Sequence, residues 1–323
     1  VNLSALAKPA GPSFSGRFFL VSTLPTTLVG VYLLVLVWAG APGPVRFGRA
    51  WRTAAGLGAG PSLLLLLLVT AVGVITMPLQ LPLVRWLEGY WPRHLERLAR
   101  WCRKRQKDRC GDATGTLTRE DAHNPEVVDR EFTRGYRQRL RYPVDEPHLF
   151  RPTALGNALT AAESRAGRAY GLDAPVFWTR LEPLLSGRIA ATVTEQRDAM
   201  DAAARLSVTA ALCVPPTVWL LWRSGWWLLL PALLTVLSRL AYVAAVHAAV
   251  AYGQYVEVAF DLHRFDLLSA LHLPLPADRE EEQRSNEDLG GLWRQGLPTR
   301  SPLRYVHPSG PEDPSPPASP PAD

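Results

Sequence analysis

Lysine is almost missing from this chain. Of its 35 basic residues only Lys8, Lys104 and Lys107 are lysines; the rest are arginines. That imbalance, with abundant Ala, Gly and Pro, fits a GC-rich coding bias better than a selected surface chemistry. Cysteine is scarce too. Cys102, Cys110 and Cys213 contain no CxxC pair, which excludes a disulfide framework. Cys102 and Cys110 lie too far apart for a zinc knuckle and no paired ligands flank them, so both are expected to be reduced and intracellular. The catalytic signatures GxSxG, GxxxxGK[ST], HExxH and GxGxxG are absent. The histidines at 94, 123, 148, 247, 263, 272 and 307 never form an i, i+4 ligand pair. No catalytic residue, metal or cofactor is therefore expected, and the chain is read as non-enzymatic. No alternating β pattern of useful length occurs, which leaves an all-α fold class.

What the chain has in quantity is uncharged apolar sequence. A bilayer core of about 30 Å takes about 20 apolar residues as a helix. Phe18–Trp38 and Leu63–Val84 are uncharged runs of that order, the second carrying Pro78 and Pro82, where a kink is expected. Leu206–Trp222 is a third run, and Trp226–Val250 a fourth, interrupted by Arg239 and His247. Arg223-Ser224-Gly225 between the last two reads as a tight turn. Ala39-Gly40-Ala41 resembles a cleavage site, but signal-peptide cores run only about 7–15 apolar residues, so the first run is expected to remain as an anchor.

The expected organisation is that of a helical integral membrane protein. Residues 1–17 form a cytoplasmic N-terminus, 18–84 a first transmembrane hairpin and 85–205 an all-helical cytoplasmic domain. Residues 206–250 form the second hairpin, 251–296 a cytoplasmic helical segment, and 297–323 a disordered Pro-rich tail. Orientation follows the bias of Arg and Lys near span ends. Arg85, Arg93, Arg97, Arg100, Arg103, Lys104, Arg105, Lys107 and Arg109 outweigh Glu88, Glu96 and Asp108, so this side is expected to be cytoplasmic. Four crossings then place both termini on the cytoplasmic side of the cell membrane, in agreement with Lys8 and Arg17. Arg46, Arg49 and Arg52 in the outer loop argue the other way but are outnumbered.

Pro92 suits a first helical turn, and a basic amphipathic helix is expected over 92–109. Leu95, Leu98 and Cys102 fall on one face with Trp101 beside them, while Arg93, Arg97, Arg100, Lys104 and Lys107 cover the rest. Trp86, Tyr90 and Trp91 precede it, as aromatics do at headgroup level. The pattern points to anionic headgroups of membrane lipids as partners, each basic residue near the surface contributing about 1 kcal/mol. The alternative is a positive-inside flank packed on its neighbours. Nucleic acid is not expected as a partner.

Further along, residues 111–116 read as a loop and Leu117–Arg141 as a polar helix. Thr153 is expected to cap a helix from Ala154 to about Arg168 with Leu155, Leu159 and Ala162 on one face. Gly171 suits a left-handed helix end and Asp173 the next cap, before a helix carrying Val176, Phe177, Trp178 and Leu181. A long helix from about Gly187 should run into the third span. Beyond the fourth, Glu257 and Asp261 share a helical face while His263 points elsewhere, so capping and surface charge are expected there rather than a metal site.

The segment Cys110–Thr118 reads CGDATGTLT and is similar to the phosphorylation signature DKTGTLT of P-type ion pumps, with alanine in place of the lysine. In those pumps the nucleophilic aspartate ends a buried apolar strand. Here Arg103–Arg109 is densely charged and cannot be one. No TGD-like or GDG-like loop follows, and the cytoplasmic stretch is too short for phosphorylation and nucleotide domains. Asp112 is therefore expected not to be catalytic.

At Arg151–Leu181, RPTALGNALTAAESRAGRAYGLDAPVFWTRL, the chain carries Pro152-Thr153, Leu155-Gly156-Asn157, Ala162-Glu163, Tyr170-Gly171-Leu172-Asp173, Trp178 and Arg180-Leu181. With PLQLPLVRWLEGYW (Pro78–Trp91) and FDLHRFDLL (Phe260–Leu268), these resemble a family of uncharacterised actinobacterial multi-pass membrane proteins. The resemblance runs over the larger part of the chain. It implies a four-span layout in the cytoplasmic membrane and implies no activity.

Two functions fit this organisation. One is a non-enzymatic, membrane-anchored helical adaptor or sensor whose cytoplasmic domain binds a protein partner, a second copy of itself, or the anionic lipid surface. The other is an oligomeric ion channel or transporter, because hairpin, cytoplasmic helices and hairpin is the bestrophin layout, though no bestrophin motif is present. Three of the four runs offer almost no polar residue to a pore, which favours the adaptor. Arg239 is the exception. It lies about 21 Å along the fourth helix from Gly225, where a charge costs up to about 2.5–3.5 kcal/mol. Either its stem reaches the inner headgroups, or Arg239 and His247, near Tyr242, form an intramembrane polar site.

Overall fold

The computed structural model describes residues 16–113, 125–300 and 302–307. Every regular element among them is helical. The first hairpin comprises α1 (Gly16–Trp38), α2 (Phe47–Ala55) and α3 (Ala59–Leu87). Next come α4 (Glu96–Ala113), α5 (Pro125–Arg141), α6 (Ala154–Arg165) and α7 (Ala174–Leu181). The chain then makes α8 (Gly187–Leu221), α9 (Leu229–Ala270) and α10 (Arg279–Gln295).

The axis of the molecule is the antiparallel pair α8 and α9, joined at the turn foreseen around Ser224-Gly225. At 1.5 Å per residue the 42 residues of α9 extend about 63 Å, twice a bilayer core, and the 35 of α8 about 52 Å. Both are long and apolar enough to cross a membrane; a third candidate exists if α2 and Ala59–Ala71, bent by 115° to each other, count as one span. Midway, the Ser207 hydroxyl donates to the Ser238 carbonyl at 3.0 Å and the Ser238 hydroxyl to the Ser207 carbonyl at 2.9 Å. Such reciprocal bonds join helices where apolar surroundings offer no alternative partner. α1 packs on α3 and α8, and α3 on α8, so four apolar helices lie side by side. The short amphipathic α2, which no sequence feature had singled out, folds back at the turn end, with Phe47 edge-on to Trp227 at 4.9 Å. Trp51, Trp219, Trp222 and Trp226 are exposed there; Trp86, Tyr90 and Trp101 are exposed towards the other end. Aromatics gathered at both ends match two headgroup layers.

The main core lies around the second half of α9. Phe177, Trp178 and Leu181 of α7 meet Val256, Phe260, Leu267 and Leu268 of α9 and Leu289 of α10. Thr153 caps α6 as foreseen, its hydroxyl accepting from the Gly156 N–H at 3.1 Å. Gly156 is required for a second reason: a Cβ there would stand 2.1 Å from the Glu88 carbonyl oxygen, so only glycine lets the end of α3 seat on α6. Gly171 has the expected left-handed backbone, φ +73°.

Several sequence expectations are corrected. Pro92 is not in a helix: its extended backbone (ψ 155°) holds it outside, a 3-10 turn covers Arg93–Leu95, and α4 begins at Glu96. α4 also runs past 109 to Ala113, because Cys110 is buried against α5 and carries the helix on. Gly111, Asp112 and Ala113 are thus helical rather than looped, and Asp112 ends no strand. Residues 114–124 lie outside the described residues. α6 stops at Arg165, short of the expected 168, because Gly167 turns left-handed. Asp173 occupies its cap position, yet its carboxylate pairs with Arg294, a charge-assisted partner stronger than a backbone N–H. α9 passes unbroken through Val250. The start of the expected disordered tail is fixed: the Arg300 N–H donates to Asp288, Leu303 packs on the core, and the Val306 N–H donates to the His272 carbonyl at 2.8 Å. Residues 308–323 lie outside the described residues.

Candidate functional site

α4 presents three faces with three different surroundings. Its packed face is Ala99, Gln106 and Cys110, set against α5. There the Gln138 side chain donates to the Cys110 carbonyl at 2.8 Å, and the Tyr142 hydroxyl points to Gln106 Oε1 at 3.4 Å. The expected apolar stripe of Leu95, Leu98 and Cys102 is therefore not what packs. A small alanine and a satisfied amide fit the neighbouring helix better than a leucine does.

The second face is open. Leu98 is 46% exposed and Trp101 56%, with Arg97 and Arg105 alongside; the Arg105 guanidinium lies 5.4 Å from the Trp101 ring. Exposed Arg93 and Trp86 precede this face, and the Trp91 indole N–H donates to the Trp86 carbonyl at 2.8 Å.

The third face is a basic cleft. Arg100, Arg103, Lys104 and Lys107 recur at i, i+3, i+4 and i+7, the spacing that brings side chains onto one helical face. They line an open cavity of about 420 Å³ bordered on its other side by Pro147, His148 and Phe150. The Lys107 ammonium lies 5.5 Å from the Phe150 ring. Arg103 pairs with Glu96; among the described residues no carboxylate pairs with Arg100, Lys104 or Lys107. Like charges at this spacing cost about 0.2–0.5 kcal/mol per pair, so the face is stabilised by anything that brings negative charge. Of the basic residues singled out in the sequence, Arg100, Lys104 and Lys107 are brought together, and Arg93 and Arg97 stay outside the cleft. Arg103 and the opposing Pro147–Phe150 wall were missed. The i, i+3, i+4, i+7 spacing could have revealed the first; nothing local in the sequence reveals the second.

A separate polar cluster forms where α3 meets α6 and α8. Glu88, just past the end of α3, is only 7% exposed. Burial, and then the Asp201 carboxylate, push its carboxyl up to about 7 against the pull of Arg85; Glu163 and Arg197 also face it. Nearby Tyr252 is buried and its phenol is pushed up to about 12, chiefly by that burial. In the sequence Glu88 counted only as one acid among many bases.

Arg239 and His247 do not form a joint site. Arg239 is exposed on α9, its guanidinium 5.8 Å from the Tyr242 ring. His247 instead meets Arg141 at the end of α5, 2.8 Å away. The acids and histidine beyond the fourth apolar run form no metal-holding cluster among the described residues. Glu257 pairs with Arg165 at 2.5 Å, and His263 with Asp266 at 2.7 Å.

No protein-family model matches the chain, and neither a curated protein nor a solved structure shows detectable similarity to it.

Proposed function

We propose that the protein is a non-enzymatic, membrane-anchored helical adaptor or sensor that holds its inner helical domain against an anionic lipid surface. In this reading α1, α3, α8 and α9 give four crossings of the cell membrane and both ends of the chain lie in the cytoplasm, as in the actinobacterial family it resembles. The observation that carries the proposal is the open face of α4. Leu98 and Trp101 stand exposed between Arg97 and Arg105, and Trp86 is exposed in the last turn of the apolar helix α3 that precedes them. Large apolar side chains flanked by arginines are the composition of a helix lying in the headgroup plane, where apolar insertion and attraction to anionic lipid add.

The test uses a spin label at Leu98→Cys, in a chain with its three cysteines replaced by serine, reconstituted in vesicles. The label should be reachable by oxygen and shielded from a water-soluble nickel relaxant. Shielding should grow when phosphatidylglycerol is added to phosphatidylcholine. A label equally open to the relaxant in both compositions would overturn the reading.

A further inference from the structure

We propose that the cleft between α4 and the Pro147–Phe150 segment is a discrete binding site for a phosphate-bearing anion, either a phospholipid headgroup or a soluble phosphate. The inference deepens the adaptor reading by naming a ligand, and rests on it only for the placement beside a membrane. The open face of α4 and the cleft are different surfaces of one helix, so one can fail without the other.

Three features separate this cleft from an ordinary solvated basic flank. Its cations converge: Arg100, Arg103, Lys104 and Lys107 line one cavity rather than radiating around the helix. Second, the cavity has a wall, formed by His148 and Phe150 from a distant part of the chain. Its volume of about 420 Å³ falls within the roughly 300–1,000 Å³ typical of small-molecule sites. Third, among the described residues no carboxylate pairs with three of the four cations, Arg100, Lys104 and Lys107. Glu96 holds Arg103, while the acid nearest the wall, Glu146, is shared between His148 at 3.9 Å and Arg168 at 3.2 Å. Arg100 supplies a planar fork suited to two phosphate oxygens, and Lys104 and Lys107 supply point charges. Phe150 gives the cleft an apolar side against which a glycerol or similar stem can lie, while Lys107 stays over its ring.

The full-length chain in phosphatidylcholine nanodiscs is titrated with inorganic pyrophosphate by calorimetry. In parallel, phosphatidylglycerol is added to the nanodiscs and the molecules retained are counted by native mass spectrometry. Lys104→Gln/Lys107→Gln is compared with the charge-matched Arg134→Gln/Arg137→Gln on α5, which lies outside the cleft. The cleft pair should weaken binding about tenfold or more and the control pair about twofold or less. Lys107→Glu should weaken it further. Thermal melts of all variants should match the parent chain, since the substituted side chains are exposed. Lost pyrophosphate binding assigns a soluble anion and lost phosphatidylglycerol retention assigns a headgroup; either supports the cleft. Equal weakening by the two pairs, or no binding of either probe, overturns it. Weakening only by Arg93→Gln/Arg97→Gln also overturns the cleft while leaving the lipid-surface reading intact.

Discussion

α9 is one helix in two environments. In its first half Leu229, Leu233, Val236, Leu237 and Leu240 are exposed, Leu233 by 64%. From Ala245 on, towards and through its second half, Ala245, Ala249, Tyr252, Val256, Ala259, Phe260, Leu267 and Leu268 are buried. Both halves are rich in apolar residues, although the first carries one charged residue, Arg239, and the second carries Glu257, Asp261, Arg264 and Asp266. They differ in what covers them. A continuous row of exposed leucines is untenable for a protein in water and costs nothing in lipid. One face of the second half is covered by protein, where Gly253 lies against Ala162 of α6, while Tyr255, Val258, Leu262 and Phe265 stay exposed on the other. Charged groups follow the same division. The helices packed on the second half of α9 hold the Arg165–Glu257 pair at 2.5 Å and the Arg264–Glu282 pair at 2.9 Å. The first half of α9 and the stretch of α8 beyond Arg205 offer little more than the Ser207–Ser238 exchange and Arg239. Apolar sequence therefore does two jobs here: in one half it matches a solvent and in the other it builds a core.

The comparison is tested most severely by removing one large side chain from each half. Trp178 is fully buried against Phe260, with ring centroids 6.1 Å apart. Trp178→Ala should cost about 3–5 kcal/mol, the usual range for emptying a core aromatic site. Leu233→Ala, facing detergent or lipid, should cost less than about 1 kcal/mol, because the vacated space is filled by the surrounding chains. Denaturant unfolding in a mild detergent reads both. An equal cost at the two positions would break the comparison and mean that a protein surface, such as a second copy of the chain, covers the outer leucines.

The division was only partly legible in the sequence. The helical class, the apolar runs, the Thr153 cap, the left-handed Gly171 and the helix starting at Gly187 all rest on local rules, and all are present. The position of Val250 as the end of a span could not be read, because apolar character continues into Tyr252, Val256 and Phe260 while the surroundings change. The same limit hid the candidate site. The basic character of α4 was plain, but which of its faces packs depended on Gln138 and Tyr142. Which bases converge depended on Phe150, far along the chain. The burial of Glu88 was hidden as well, since it follows from Gly156 admitting the end of α3.

Glu88 marks the seam between the two regions, and its titration measures how well they are joined. Its carboxyl stands at about 7 in the folded chain against 4.5 for the free group. Between those values the folded chain holds a proton that the unfolded chain has released. Stability from this group is therefore fully present below about pH 4.5 and is lost as pH rises through about 7, at most about 3 kcal/mol. Asp201 and Glu163, which also face it, add to the cost of its charge, while Arg85 and Arg197 reduce it. Glu88→Gln mimics the protonated state. The variant should melt above the parent chain near pH 8 and level with it near pH 5. A constant difference across that range would show that water reaches Glu88 and that α3 is not seated on the inner domain.

The smallest effect is expected at Arg239, the one charge in the exposed half of α9. The Tyr242 hydroxyl accepts the N–H groups of Ala154 at 3.0 Å and Leu155 at 3.2 Å, which ties that ring to the first turn of α6. Arg239 leans on this ring, 5.8 Å from its centre, so its charge is directed towards α6 rather than along the exposed leucines. Among the described residues no carboxylate pairs with it. Arg239→Leu then gives up a cation–π contact of about 0.5–1 kcal/mol and removes a charge that is expensive in lipid. The two changes oppose each other, and the melting temperature in nanodiscs should barely move. Arg239→Gln should behave alike. A buried ion pair predicts a different number, a loss of about 3–5 kcal/mol when one partner alone is removed. A loss of that size, or altered anion conductance of the Leu variant in planar bilayers, would mean that the outer half of α9 is covered by protein or by a wet pore. In that case the channel reading would replace the adaptor.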